Sequence, residues 1–375
     1  MKQLFLFAVL FTCSVGLFSA DYSKVDEQSH YVPYQLKTPV QIAKYLTRNL
    51  RTDEEKTRAI YFWIANTIKF DVDQIPGNDY RYHVSGDRNF LKEVLDSHKG
   101  VCQHYAMLFD TLCHSVGVKS YFVVGYTRQN EQVSELSHAW NAVQINGEFF
   151  DLDVTWSAGY VEDGKYRPEF HDELYMVSPS KFIATHIPFD PVWQFLKNPV
   201  THTAVEKGDF KNIKSPAKFN YSDSIKAIAT SDTLTNLIHE NQRIKSSGVS
   251  NELIKKYIAF NQRNIDLSKY NIAIRNFNKS VENFNAYVLI KNKQFNNCTL
   301  DDNTVQNLLT AAKNDMENAE SALKFLKENN SPLKENISGL QNAIKKMNKE
   351  IDQENAFIEK YISTPKPLRL VLFSR

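Results

Sequence analysis

The residues most suited to chemistry begin at Cys102. It follows Gly100 and Val101, where an apolar spacing of threes and fours starts: Cys102, Tyr105, Ala106, Phe109, Leu112, Cys113 and Val116, closed by Gly117. Cys102 therefore stands in the first turn of a helix. Unpaired backbone N–H groups and the positive end of the helix dipole there favour a thiolate and lower the thiol pKa. Such a sulfur is a candidate nucleophile, whereas Cys113, mid-helix, reads as a small buried hydrophobe. Downstream, His138 to Ile145 and Glu148 to Trp156 read as strands joined by Asn146-Gly147, the strongest short hairpin signal. In that register Ile145 faces Glu148 and His138 faces Thr155. Asp153 is then diagonal to His138 on the same face, about 7 to 8 Å away, while Asp151 lies opposite Ala142, about 13 Å along the strand. Asp153 is thus the expected orienting carboxylate. A histidine held by a carboxylate beside a helix-start cysteine is the nucleophile, base and orienter set of thiol acyl transfer. The hairpin fixes only His138 and Asp153. Nothing local says that the sheet packs on the Cys102 helix.

Other chemistry is less well supplied. Cys102, His104 and His98 lack the second ligand cluster of a zinc site, there is no His-Glu-x-x-His run, and no EF-hand series of calcium ligands occurs. No metal and no cofactor is expected. His104 and His114 read as helix-surface or packing residues, His186 as structural, and Trp140 and Trp156 as core residues or cleft walls. For transition-state stabilisation, the N–H of Cys102 is one oxyanion donor.

The elements that must position these groups fall in the first of two differently composed parts. Residues 38 to 215 hold all four tryptophans (Trp63, Trp140, Trp156 and Trp193). Thr52 with Glu55 forms a capping box for a helix over about 53 to 69, whose apolar face is Ile60, Trp63, Ile64 and Ile68. A strand over Tyr121 to Tyr126 precedes the hairpin, so helices come first and an antiparallel sheet after, an α+β order. A boundary is expected near Lys211 to Phe219, at the Ser215-Pro216 break. From 220 to 365 three heptad series follow: Leu267, Tyr270, Ile274, Phe277, Val281, Phe284 and Val288; then Val305 to Leu326; then Leu333 to Ile351. Short breaks near Asn296-Asn297 and Ser331-Pro332 predict an all-α antiparallel bundle or coiled coil, a spacer or a surface for a protein partner.

The sequence has 375 residues, 42% hydrophobic and 23% charged, which excludes a disordered, collagenous or multi-span membrane chain. Its formal charge of +2 offers no field for nucleic acid. Lys2, the apolar run Leu4 to Phe11 and the small residues up to Ala20 form a secretory signal peptide too short to span a bilayer. Residues 1–20 are therefore read as signal, 21–215 as the catalytic domain and 220–365 as the bundle, and the protein is expected to be exported, periplasmic, cell-surface or secreted. Cys13 lacks the small residues that precede a lipid-modified cysteine. Cys102, Cys113 and Cys298 then remain, an odd number, so at least one thiol is expected free. Cys102 and Cys113, about 16 Å apart along one helix, cannot pair with each other.

Gly100-Val101-Cys102-Gln103-His104-Tyr105-Ala106, Ser137-His138-Ala139-Trp140-Asn141 and Asp151-Leu152-Asp153-Val154-Thr155-Trp156 resemble, in order and spacing, the three motif blocks of the transglutaminase-like superfamily. Phe182 to Pro188 and Asp190-Pro191-Val192-Trp193-Gln194 are similar to its kyphoscoliosis peptidase branch. The resemblance covers about residues 40 to 196. It implies a papain-like fold with Cys102 as nucleophile, His138 as base and Asp153 as orienter. The expectation is an exported thiol enzyme acting on protein or peptide amides, with hydrolysis favoured over cross-linking. A binding or scaffold protein that keeps the fold without turnover is the competing expectation.

Overall fold

A computed structural model of the chain describes residues 21–74, 88–209, 219–295, 301–324, 326 and 333–373. The expected signal segment, Cys298, the break at Ser331-Pro332 and most of the expected boundary at 211–219 lie outside the described residues. Two compact units divide the chain. One runs to Pro188 and takes in Trp193–Leu196; the other comprises Phe189–Val192 and Lys197–Arg375.

In the first unit the capping box of Thr52 and Glu55 opens the helix Asp53–Thr67, and Ile68 leaves it in extended conformation. Its buried Ile60, Ile64 and Ile68 share a core with Tyr105, Phe109 and Leu112 of the helix Cys102–Ser115. Gly117, at φ +80, supplies the left-handed stop after that second helix. Arg58 on the first helix is almost wholly buried. It pairs with Asp26 at 2.6 Å and with Asp172, so the short helix Ser23–Ser29 and the Asp172 loop are tied to one guanidinium.

The sheet is antiparallel, in the order Glu148–Leu152, Gln132–Ile145, Ser120–Gln129, His186–Pro188. Asn146 and Gly147 both have positive φ, 52° and 87°, as a two-residue hairpin turn demands, and Ile145 faces Glu148. One expectation fails here. The second strand of the hairpin ends at Leu152, not at Trp156, because the Asp153 side chain caps a new short helix, Val154–Ala158, by accepting the N–H groups of Thr155 and Trp156.

The second unit contains the helices Tyr221–Thr230, Thr233–Ser247, Glu252–Asn292, Asp302–Leu323 and Lys334–Ser363. The Val305 to Leu326 series is buried as the heptads predict, and Ile337, Ile344 and Ile351 form the buried face of the last helix, which runs on to Ile358 and Tyr361. On the long helix the seam shifts by one residue. Ala273, Ser280 and Tyr287 are buried where Ile274 and Val281 were expected, Tyr270, Phe277, Phe284 and Val288 keep their place, and Leu267 is exposed. Small Ala273 and Ser280 allow close approach, and the Ser280 hydroxyl donates to the Ala312 carbonyl at 2.6 Å. Polar pairs flank the seam: Lys279 with Asp315, Lys291 with Glu354, and Tyr287 donating to Glu354.

Because these seams bury one another, a fragment spanning residues 220–365 is expected to fold alone and give a strongly helical circular dichroism spectrum. A mostly unfolded spectrum would mean that the helices depend on the first unit.

Candidate active site

The first turn of the helix Cys102–Ser115 is shaped by two neighbours in sequence. Val101 is extended at the cap, and its N–H donates to Nδ1 of His104 at 3.0 Å, the reciprocal half of a capping box. The His104 ring stacks on Phe90 with centroids 4.0 Å apart. A side chain at Gly100 would stand 2.6 Å from the His104 Cβ, so a glycine is required two residues before the thiol. His104 is thus a packing residue, and His114 a surface one beside Asp110.

The link between helix and sheet that the sequence left open is made by small residues. Cys102 and Ala106 on the helix pack against Ala139 on the central strand, with Phe122 at the edge. Asn141, two residues further along that strand, donates from Nδ2 to the Ala106 carbonyl at 2.9 Å. This contact brings Cys102 and His138 to one cleft of about 520 Å³. Cys102 is only 7% exposed. Cys102 and Cys113 are both free thiols. Burial pushes the Cys113 thiol well above its ordinary pKa.

His138 Nε2 lies 2.6 Å from Asp153 Oδ2. Burial by itself would lower the His138 pKa, but the Asp153 charge and bond, and then the Cys102 thiol, outweigh it and push it up to about 10. Burial likewise raises Asp153, yet the His138 charge and the bonds from His138 and His186 hold it well below the carboxylate range. Asp153 is fully buried, and its other oxygen, Oδ1, accepts from Thr155 N at 2.8 Å and Trp156 N at 3.1 Å. Asp153 therefore meets His138 from the cap of a helix rather than from a diagonal strand position. Asp151 does stand opposite Ala142, where its backbone pairs with Val177, and burial pushes its carboxyl well above the ordinary range.

The sequence reading missed the partner of His186. Its Nε2 lies 3.2 Å from the same Oδ2 of Asp153. It arrives on the edge strand His186–Pro188, whose pairing with the strand Ser120–Gln129 has no local signal around His138 or Asp153. His138 Nε2, Asp153 Oδ2 and His186 Nε2 lie within 4.8 Å of one another, the grouping of a metal site. The 2.6 Å contact is shorter than the roughly 3.3 Å that tetrahedral zinc at about 2.0 Å from each ligand would impose, so these atoms are set for hydrogen bonding. Trp156 lines the cleft, whereas Trp140 is buried.

Several known proteins are similar to part of this sequence. Residues 40–154 match the family model of the Transglutaminase-like superfamily. Kyphoscoliosis peptidase from Mus musculus and that from Homo sapiens are each 32% identical over 162 residues, 41% of this chain and 24% of theirs. Hillarin from Drosophila melanogaster is 27% identical over 188 residues, 44% of this chain and 22% of its own. A solved structure of a TGase aligns at 16% identity over 42% of this chain and 37% of its own, with a TM-score of 0.26. The chain spans about a quarter of the length of these curated relatives. The stretch that matches the family model lies in the unit of mixed α/β structure, and a long helical region follows it.

Two outcomes follow from the electrostatics. Asn caps a helix as well as Asp does, so Asp153→Asn removes the charge but not the cap. It is expected to slow acyl transfer by roughly 100-fold or more. Asp151 stands opposite Ala142 and makes no bond to His138, and Asp151→Asn is expected to change the rate by less than about threefold. Steady-state rates on an acyl substrate compare the two. The second outcome concerns stability. An unfolded histidine titrates near pH 6.5. The raised His138 contributes stability that is whole below that pH and is lost as the pH rises through about 10. Denaturant unfolding of wild type and His138→Asn between pH 6 and 10 should show the wild-type advantage shrinking as pH rises.

Proposed function

We propose that the protein is a thiol acyl-transfer enzyme that hydrolyses amide bonds of peptides or proteins, with Cys102 as nucleophile, His138 as general base and acid, and Asp153 as orienter. The observation that carries the reading is a buried, ionised Asp153 bonded to His138, whose ring also meets Cys102 at the start of a helix and the wall of a cleft. An ionised carboxylate only accepts, so His138 Nε2 carries the hydrogen toward Asp153 and Nδ1 is left to exchange a proton with the sulfur. Cys102 Sγ attacks the carbonyl carbon, and the N–H of Cys102 faces the oxygen as its charge develops. His138 then protonates the leaving amine, which departs and leaves a thioester. Water, deprotonated by His138, attacks the thioester, releasing the acid and the thiol.

The cleft suits a peptide. Phe70, Leu136, Trp156, Tyr160, Val161 and Tyr166 line it, and Leu136, Tyr160 and Val161 are exposed apolar residues. Such surface takes apolar side chains of a chain in extended form. Hydrolysis is favoured over cross-linking because water needs no second binding site, whereas an acceptor amine does. Export through residues 1–20 and docking of a protein partner on the C-terminal helices belong to the same reading.

A mixture of unfolded proteins incubated with the purified full chain, with and without a fluorescent primary amine, tests the function. New peptide termini (a peptidase) or released ammonia (a deamidase) without amine incorporation are expected, and all should be absent in Cys102→Ser. Amine incorporation in preference to cleavage would make the protein a cross-linking enzyme. Equal behaviour of wild type and Cys102→Ser would leave a scaffold.

A further inference from the structure

Asp153 is fully buried and its carboxylate has four donors: two backbone N–H groups, His138, and a second imidazole, His186, that has no part in the reaction sequence above. Because the carboxylate only accepts, His186 Nε2 must carry a hydrogen. Nδ1 is then bare in the neutral ring and lies 2.8 Å from the Thr185 hydroxyl, which also reaches the Phe182 carbonyl at 3.3 Å, so Asp153 sets the tautomer and Thr185 anchors the far side of the ring. The ring cannot swing away. Phe182 stacks on it with centroids 4.1 Å apart, Trp156 stands at 4.7 Å, and Trp140 meets it edge-on at 5.2 Å. Burial depresses the His186 pKa, the adjacent Asp153 opposes this, and the His138 charge adds to the depression, leaving His186 neutral.

We infer that His186 is a positioning residue for the Cys102 site: a neutral imidazole, locked by Thr185 and Phe182, that holds Asp153 Oδ2 where it meets His138 Nε2. The inference rests on the function proposed above. Its chemistry is a division of labour between two imidazoles on one oxygen. His138, whose second nitrogen faces the thiol, takes the proton of the reaction. His186, whose second nitrogen is spent on Thr185, cannot exchange with the sulfur and serves to stop the carboxylate from turning about its last bond. Two backbone N–H groups hold Oδ1, so loss of His186 would leave Oδ2 tied to His138 alone, and small turns of the carboxylate would carry the His138 ring and move Nδ1 off the sulfur.

The test uses the full chain and the rate at which iodoacetamide modifies Cys102, followed by mass spectrometry, beside thermal unfolding of each variant. His186→Phe keeps the ring packing and removes the donor. His186→Gln keeps an N–H at a similar reach and removes the ring. His186→Phe is expected to slow Cys102 modification by roughly tenfold, and His186→Gln to restore it to within about threefold of wild type, whichever variant melts lower. A purely structural role predicts the reverse order, with the ring-keeping variant behaving as wild type, and that result would overturn the inference. Where His186→Phe does not fold, Thr185→Val removes the Nδ1 contact that anchors the ring and is expected to slow Cys102 by about threefold. An unchanged rate would overturn the inference equally. Wild-type Cys102 reacting no faster than buried Cys113 would instead overturn the proposed function, whatever the variants do.

Discussion

A charge removed from water must be given its partners by the chain, and at Asp153 the chain supplies four. Each comes at a structural cost that shapes the surroundings. The two backbone donors exist only because the strand stops at Leu152 and the chain turns at once into the helix Val154–Ala158. The two imidazoles come from different strands, His138 from the middle of the sheet and His186 from its edge, so the sheet must be complete before the carboxylate is satisfied. Tyr61, on the helix Asp53–Thr67, adds a bond to Ser157 of the short helix and ties this corner to the helical layer. Leaving any donor out would cost on the order of 1 to 3 kcal/mol, a sizeable share of a domain's net stability.

Much of this was legible in the residues because it is local. Asn146-Gly147 demands positive φ twice, and that alone aligns the two strands so that Asp151 faces Ala142. Thr52 and Glu55 announce a helix start through groups three residues apart. What escaped was either ambiguous locally or non-local. Asp153 is a cap as well as an acceptor, and from the sequence a capping Asp and a last strand residue look alike. The helix-to-sheet contact depends on Ala106 and Ala139 being small and on one amide of Asn141, none of which shows a periodicity. His186 reaches Asp153 from 33 residues away by strand pairing.

The helical unit teaches the same lesson in another form. Heptads specify that a seam exists, but on the long helix the three-and-four alternation can be read from either of two adjacent residues. Size and hydrogen bonding decided between them: Ala273 and Ser280 permit the backbone of the next helix to approach, and Ser280 finds the Ala312 carbonyl. Larger Ile274 and Val281 are left half-covered at the margin of that seam. This unit lies beyond residues 40–154, the stretch that matches the Transglutaminase-like superfamily.

The central claim is that Cys102 and His138 act as one unit, and the rate of Cys102 alkylation across pH 4 to 9 in wild type and His138→Asn tests it most directly. The account predicts that Cys102 is alkylated roughly tenfold or more slowly in the variant than in wild type at neutral pH. Superimposable profiles for the two proteins would contradict it.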